Sequence, residues 1–289
     1  MINSWNEYRR SLLRNYKYLL FLILFGTGQC EESNPDDVVS IPDSSFLDEL
    51  IRNGVDTNGD GLISQDEAES SSALYLAPAG IRDLTGIEAF VNLDTLVVEV
   101  NPLSPPDLSE NTALVCLALL GCGLTELDVS KNASLKSLDF SGDVGLDNKL
   151  TGIDLSGNPE LETLICPGNE LTGLDLSHNP QLLLLSCSRN RIAELELSSN
   201  IEIYELHCKN NFLKSLDLRA NTALELMTSC GNQLANIDLS LNTRLRLIGI
   251  DNMPSLTEVC VWTTPFPPEG VRVLMGYSSN AFFTTRCSN

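Results

Sequence analysis

Between residues 161 and 244 the apolar and polar positions fall into a fixed cycle of 21. The segments read "LETLICPGNELTGLDLSHNPQ" (161–181), "LLLLSCSRNRIAELELSSNIE" (182–202), "IYELHCKNNFLKSLDLRANTA" (203–223) and "LELMTSCGNQLANIDLSLNTR" (224–244). The first follows L-x-x-L-x-C-x-x-N-x-L-x-x-L-D-L-S-x-N outright, and the other three keep most of its positions. The x-L-x-C portion is a short strand whose alternate side chains point inward, and the asparagine after it turns the chain while bonding backbone groups of the next coil. One such coil cannot bury its leucines, so the period predicts a stack.

The frame extends backwards through "LVCLALLGCGLTELDVSKNAS" (114–134) and "LDTLVVEVNPLSPPDLSENTA" (93–113). Residues 135–160 carry five extra residues around "SGDVGLDNK", a loop bulging from the stack. "LYLAPAGIRDLTGIEAF" (74–90) fits a divergent first coil, and "LRLIGIDNMPSLTEVCVW" (245–262) fits two shortened turns. The unit resembles the leucine-rich repeat, in the 21-residue internalin-like bacterial form with cysteine in a core row. That resemblance implies an α/β-type repeat solenoid of eight or nine coils, roughly 40 Å long, with a parallel concave sheet over residues 74–262.

The ends break the period. Residues 263–289 contain three prolines and strand-like runs, and predict a β-rich C-terminal cap over the last apolar layer. Cys260 and Cys287 flank it, and in an oxidising compartment a disulfide between them would staple the cap. At the other end, "MINSWNEYRRSLLRNYK" supplies Arg9, Arg10, Arg14 and Lys17 ahead of the apolar run "YLLFLILF". Eight apolar residues are too few to cross a bilayer that needs about 20, so residues 1–29 are expected to be a signal peptide. "GTGQC" before the acidic spacer "EESNPDDVVSIPDSS" resembles the cleavage site of bacterial lipoproteins, which implies lipidation of Cys30 and an acidic tether over 30–42. The alternative is ordinary cleavage with a free N-terminus.

Charge narrows the partners. The net charge is −21, and losing residues 1–29 removes four bases and Glu7, leaving 14 basic against 38 acidic residues. Nucleic acid is excluded as a partner by that repulsion. Asp128, Asp154, Asp175, Glu196, Asp217 and Asp238 occupy one unit position. They form a convex carboxylate row best spent on turn N–H groups, since no pair stands apart as an acid and a base. Cys166, Cys187 and Cys208 stack at intervals of 21, and parallel thiols in adjacent coils do not converge on a tetrahedral metal, so they read as buried replacements for leucine. No Ser/His/Asp or Cys/His constellation and no phosphate loop is present, and the chain is not expected to be an enzyme. Residues flanking the inward strand positions face the concave side, and Ile165, Leu184, Glu205, His207 and Leu226 are the candidate ligand-binding residues there.

One stretch stands outside the repeat. "DTNGDGLISQDE" (56–67) places Asp56, Asn58, Asp60, Gly61, Leu62, Ser64 and Glu67 at positions 1, 3, 5, 6, 7, 9 and 12, the EF-hand pattern. Asp56, Asn58, Asp60 and Ser64 offer side-chain oxygens, Leu62 its carbonyl, Glu67 two oxygens, and Gly61 the sharp bend. The flank "DSSFLDELIRNGV" predicts a helix capped by Asp43 or Ser44, with Phe46, Leu47, Leu50 and Ile51 on one face, and "QDEAESSS" starts a second. Residues 43–73 thus form a short helical, EF-hand-like N-terminal cap, with calcium as the expected cofactor. A single loop favours a structural ion over a calcium sensor.

The expected protein is monomeric and extracytoplasmic, held at the bacterial outer membrane or cell surface by lipid alone, and recognises a protein or glycan on its concave face. A structural envelope component without a ligand is the second expectation, and an enzyme hidden in the 141–149 loop the third.

Overall fold

The x-L-x-C portion of every unit becomes a strand of three to five residues, and the strands stack in register at the repeat interval. The computed structural model describes residues 37–142, 146–278 and 281–287. The expected signal peptide, Cys30 and the first part of the tether lie outside them. In chain order the elements are helix α1 (Ser44–Arg52), helix α2 (Gln65–Glu69), β1 (Ala73–Leu76), β2 (Thr95–Glu99), β3 (Cys116–Leu120), β4 (Ser137–Asp139), β5 (Thr163–Ile165), β6 (Leu184–Ser186) and β7 (Glu205–His207). There follow β8 (Leu226–Thr228), β9 (Asn236–Asp238), β10 (Leu247–Gly249), β11 (Glu258–Cys260), β12 (Arg272–Leu274) and β13 (Phe282–Thr284).

Ten of these make one parallel sheet in the order β1-β2-β3-β4-β5-β6-β7-β8-β10-β12. Leu164, Leu185, Leu206 and Met227 are direct partners along it, so one core row runs unbroken from coil to coil. Within a unit the first, fourth, sixth, eleventh, fourteenth and sixteenth residues are all buried, as Leu161, Leu164, Cys166, Leu171, Leu174 and Leu176 show.

Two asparagine ladders hold the coils. Asn190 Oδ1 accepts from Leu171 N of the preceding coil at 3.0 Å, and Nδ2 donates to Cys166 O at 2.9 Å and Cys187 O at 3.0 Å. Asn169, Asn211 and Asn232 repeat the pattern. On the opposite side Asn179 Nδ2 donates to Leu155 O and Asn158 O, and Asn200 to Leu176 O and Asn179 O. The residue before the first ladder is left-handed in coil after coil: Val100, Gly121, Gly168, Arg189, Asn210, Gly231 and Asn252 all have φ between 51° and 72°. The insertion in 135–160 does not break the ladder. Asn148 takes the vacated place, accepting from Cys122 N and Leu124 N and donating to Leu119 O and Phe140 O.

Three features differ from expectation. Residues 245–262 make one coil instead of two, with β10 on the concave sheet and β11 on the other side. The tail beyond 262 covers the last layer by adding a coil of its own: β12 extends the ten-stranded sheet, and β13 pairs with β11 in a second parallel sheet, β13-β11-β9. A disulfide joins Cys260 to Cys287, and Phe266 meets Trp262 edge to face and Phe283 at a tilt, at centroid distances of 5.2 and 4.9 Å. Proline masks the period in this stretch without removing the strand pairing. At the front, Asp43 caps α1 by accepting from Ser45 N and Phe46 N. Phe46 and Leu50 are fully buried, whereas Leu47 is half-buried and Ile51 exposed. The i, i+4 pair meets the first coil squarely and the other two flank it.

Asn190→Ala strips three bonds: Cys166 O and Cys187 O keep those from Asn169 and Asn211, but Leu171 N is left buried without its acceptor, at about 1–3 kcal/mol on top of the lost bonds. Urea unfolding is expected to show the variant destabilised by at least about 2 kcal/mol, against a few tenths for exposed Asn252→Gly, where φ is already +54°.

Candidate functional site

Local turn chemistry builds the 56–67 loop. Asp56 Oδ1 accepts from Gly59 N at 2.7 Å and Oδ2 from Gly61 N at 3.1 Å; Asn58 Oδ1 accepts from Asp60 N and Asp60 Oδ1 from Leu62 N. Gly59 and Gly61 sit at φ 76° and 81°, a conformation that a side chain would strain. Ile63 is buried against the solenoid core, and Leu62 beside it is exposed. Ser64 begins α2 with a capping box: its Oγ accepts from Glu67 N, and Glu67 Oε2 accepts from Ser64 N at 3.0 Å. Glu67 Oε1 accepts from Thr57 N and Thr57 Oγ1 at 2.7 and 2.8 Å. Burial pushes the Glu67 carboxyl up, but the bonds from Ser64 and Thr57 outweigh it and hold it below its ordinary range.

The donor set is all oxygen with three carboxylates, the chemistry of a hard cation such as calcium. Asp56, Asn58, Asp60, Ser64 and Glu67 would supply side-chain oxygens and Leu62 its carbonyl. In this structure the three carboxylates do not share one point. Among the described residues the one group of three His, Cys or acidic ligand atoms within 4.8 Å of one another is Asp238 with Cys260 and Cys287, and that pair of sulfurs is spent in the disulfide. Thr57, which bonds Glu67 twice, is a participant that the ligand spacing does not reveal.

The concave face carries two rows outside the core. One runs through Cys116, Ser137, Thr163, Leu184, Glu205, Leu226 and Leu247, the other through Ala118, Asp139, Ile165, Ser186, His207, Thr228 and Gly249. The first row is mostly half-buried, Glu205 and Leu226 included. The second is tighter: Ile165 is 2% and His207 7% exposed, and Leu184 in the first row is also 2%. Parallel strands spaced about 4.8 Å apart crowd side chains pointing the same way. Of the five expected ligand residues, two are therefore half-open and three closed in, and none belongs to the solenoid core.

His207 bridges Glu205 and Thr228, with Nε2 2.7 Å from Glu205 Oε1 and Nδ1 2.8 Å from Thr228 Oγ1. A base between a carboxylate and a hydroxyl can activate a nucleophile. Here the hydroxyl belongs to a residue 2% exposed, and the surrounding N–H groups of Cys208 and Ser229 are bonded along the sheet, so none is left to hold an oxyanion. The strand spacing places these three residues together; their hydrogen-bond order comes only from the rotamers.

The convex carboxylates do what turn chemistry asks. Asp128, Asp154, Asp175, Glu196 and Asp238 each accept from the serine N–H two residues on, and Asp217 from Arg219. The Arg219 side chain holds Asp217 down at about 2. The cysteines divide by burial. Cys166, Cys187 and Cys208 are fully buried and free, and desolvation drives all three thiols far above their ordinary range. Cys122 stands where neighbouring coils use asparagine: its Sγ lies 3.5 Å from Val98 O and Leu120 O, and burial pushes it up to about 11. Cys116 is half-buried on the concave face, raised by burial against a bond from Ser137. Ser229 takes the core-row place after Cys208, which puts Cys230 one step outside.

The fold is that of a leucine-rich repeat solenoid. Its structural neighbours include the functional domain of InlJ from Listeria monocytogenes, described as including a cysteine ladder. That domain is 30% identical, with a TM-score of 0.61, and the match covers 76% of this chain and 55% of that one. The chain thus spans about half the length of the InlJ domain. The leucine-rich repeat domain of APL1B matches at 20% identity and TM-score 0.58, over 74% of this chain and 64% of that one. Internalin C2 of Listeria monocytogenes matches at 19% and 0.50, over 69% of this chain and 100% of that one. The latter two share the fold alone. No protein-family model matches the sequence, and no curated protein does. Among the described residues no helix is long and apolar enough to cross a membrane.

Burial fixes the order of thiol reactivity. With an alkylating reagent at pH 8, Cys166, Cys187 and Cys208 are expected to stay unmodified in the folded chain and to react together on unfolding, while Cys116 and Cys230 react in the native state. Peptide mass spectrometry after pulsed labelling checks this.

Proposed function

We propose that this chain is an extracytoplasmic recognition protein, anchored through a lipidated Cys30 at the bacterial outer membrane or cell surface, which docks a protein or glycan on its concave sheet. The observation that supports this reading most is the half-open row through Thr163, Glu205, Leu226 and Leu247, mixing apolar and charged side chains across adjacent strands. A face fixed by two asparagine ladders loses little conformational freedom on binding, which favours affinity from a modest area. The overall acidity directs such a surface away from nucleic acid.

Calcium in the N-terminal loop belongs to the same reading. Bound there, the ion would offset two of the three carboxylate charges and order the cap, and an extracellular module needs affinities of only about 10⁻⁴ to 10⁻³ M. Oxygen-only donors support it, together with two left-handed glycines in the loop. The burial of Ile165, Leu184 and His207 favours the second reading, a structural envelope component whose inner row is already satisfied.

Cross-linking capture separates the two. Alanine at Leu184, Glu205, His207 and Leu226 together is expected to abolish partner capture from cell-surface extracts while circular dichroism stays unchanged; unaltered capture overturns concave-face recognition. For the loop, 1 mM calcium at a Kd of about 10⁻⁴ M should stabilise the folded cap by about 1.4 kcal/mol. Scanning calorimetry is expected to show a raised melting temperature that Asp60→Ala removes, and a melt indifferent to both calcium and chelator sinks calcium binding.

A further inference from the structure

The segment just before α1 is bound to the loop at its centre. Val39 N donates to Ile63 O at 2.8 Å, and Val38 pairs antiparallel with Ser64. Ile63 lies between Leu62, whose carbonyl is an expected ligand, and Ser64, whose hydroxyl is another. The strap made by residues 38–42 also lies across the first coil, with Val39 and Ile41 packed against the core. Gly86 makes room for it: a Cβ there would lie 2.7 Å from Ile41 Cγ1 and 3.0 Å from Ser40 O. The strap then ends on Asp43, whose Oδ2 accepts from Arg82 N and Asp83 N of that coil while Oδ1 caps α1.

We propose that the strap is the second strand of the metal loop, so that docking of residues 38–42 and binding of calcium are one coupled event. This rests on the calcium reading above. The hydrogen bond to Ile63 fixes the backbone between two ligand positions, so a docked strap presents the Leu62 carbonyl already oriented. By reciprocity a bound ion fixes Ile63 O for the strap, and each event strengthens the other by the same factor. Released, residues 37–42 would add about 20 Å of extended chain between the solenoid and whatever precedes it. Calcium would then set the reach of the tether as well as the order of the cap.

The test uses the whole mature chain and calcium chloride as the probe. In the wild type, hydrogen exchange at the Val39 amide is expected to slow at least about tenfold when calcium is added. Val39→Pro, which removes that donor, is expected to bind calcium about tenfold more weakly by calorimetry, with the circular dichroism of the solenoid unchanged. If the wild type binds calcium but Val39 exchange is indifferent to it, or Val39→Pro binds as tightly as wild type, the coupling is overturned and the calcium reading stands. If the wild type gives no binding heat, both fall together.

Discussion

Each coil depends on the next because one side chain per turn does backbone work. At the end of a strand the chain must reverse direction inside the stack, where water cannot reach its amides and carbonyls. The ladder asparagine meets that demand with both ends of its amide, taking an N–H from the preceding coil and giving to carbonyls of that coil and its own. An unpartnered buried group costs about 1–3 kcal/mol, and this requirement recurs with every turn. Aspartate could not substitute, having no N–H to give. Cys122 meets the demand differently: its thiol reaches Val98 O and Leu120 O, while Leu103 N, the amide an asparagine there would serve, bonds to Asn101 O and Cys122 O.

The opposite ladder is less completely bonded. There Asn111, Asn132, Asn158, Asn179, Asn200, Asn221 and Asn242 donate across coils, yet their Oδ1 atoms have no hydrogen-bond partner in the structure. The solenoid tolerates this because each coil also buries six apolar side chains. Such a stack has no natural end, however, and closure must come from outside the repeat. At the front, Asp43 joins helix, strap and first coil through its two oxygens. At the back, the proline-rich tail supplies one further strand to each sheet and the disulfide ties its end to β11.

The architecture is legible in the sequence because the period repeats the same physical problem many times over. Leu161, Leu164 and Cys166 can be assigned inward from spacing alone, and the convex aspartates accept turn N–H groups as their unit position implies. Legibility fails where one event happens once. The coil at 263–289 hides behind prolines, since strand pairing needs only three residues of backbone and leaves no apolar rhythm. The insertion in 135–160 can be counted, but Asn148's return to the ladder depends on where the bulge closes. In the 56–67 loop the EF-hand-like spacing is plain, whereas the strap residue that bonds Ile63 O is not. Val39 is merely one apolar residue in an acidic spacer until the fold lays it alongside. Closure of Ile165, Leu184 and His207 on the concave side likewise follows from neighbouring side chains, which alternation does not describe.

The acidity of the chain takes on a different meaning in this light. Carboxylates on successive coils repel, as Asp175 does Asp154 and Asp217 does Glu196, yet each accepts a turn N–H in its own coil, which favours the charged form. Asp128, Asp154, Asp175 and Glu196 are all held below their ordinary range by the serine two residues on. Six of the 39 acidic side chains are therefore tied to turning the chain at each coil, on the convex side where the turns are. The concave strands carry fewer acids, chiefly Glu205 and Asp139, one bonded to His207 and the other to Ser141. Turn chemistry and the open face of the sheet thus occupy different rows. A change in the convex row alters turn stability, whereas a change among Thr163, Leu226 or Leu247 alters what the sheet presents while leaving both ladders intact.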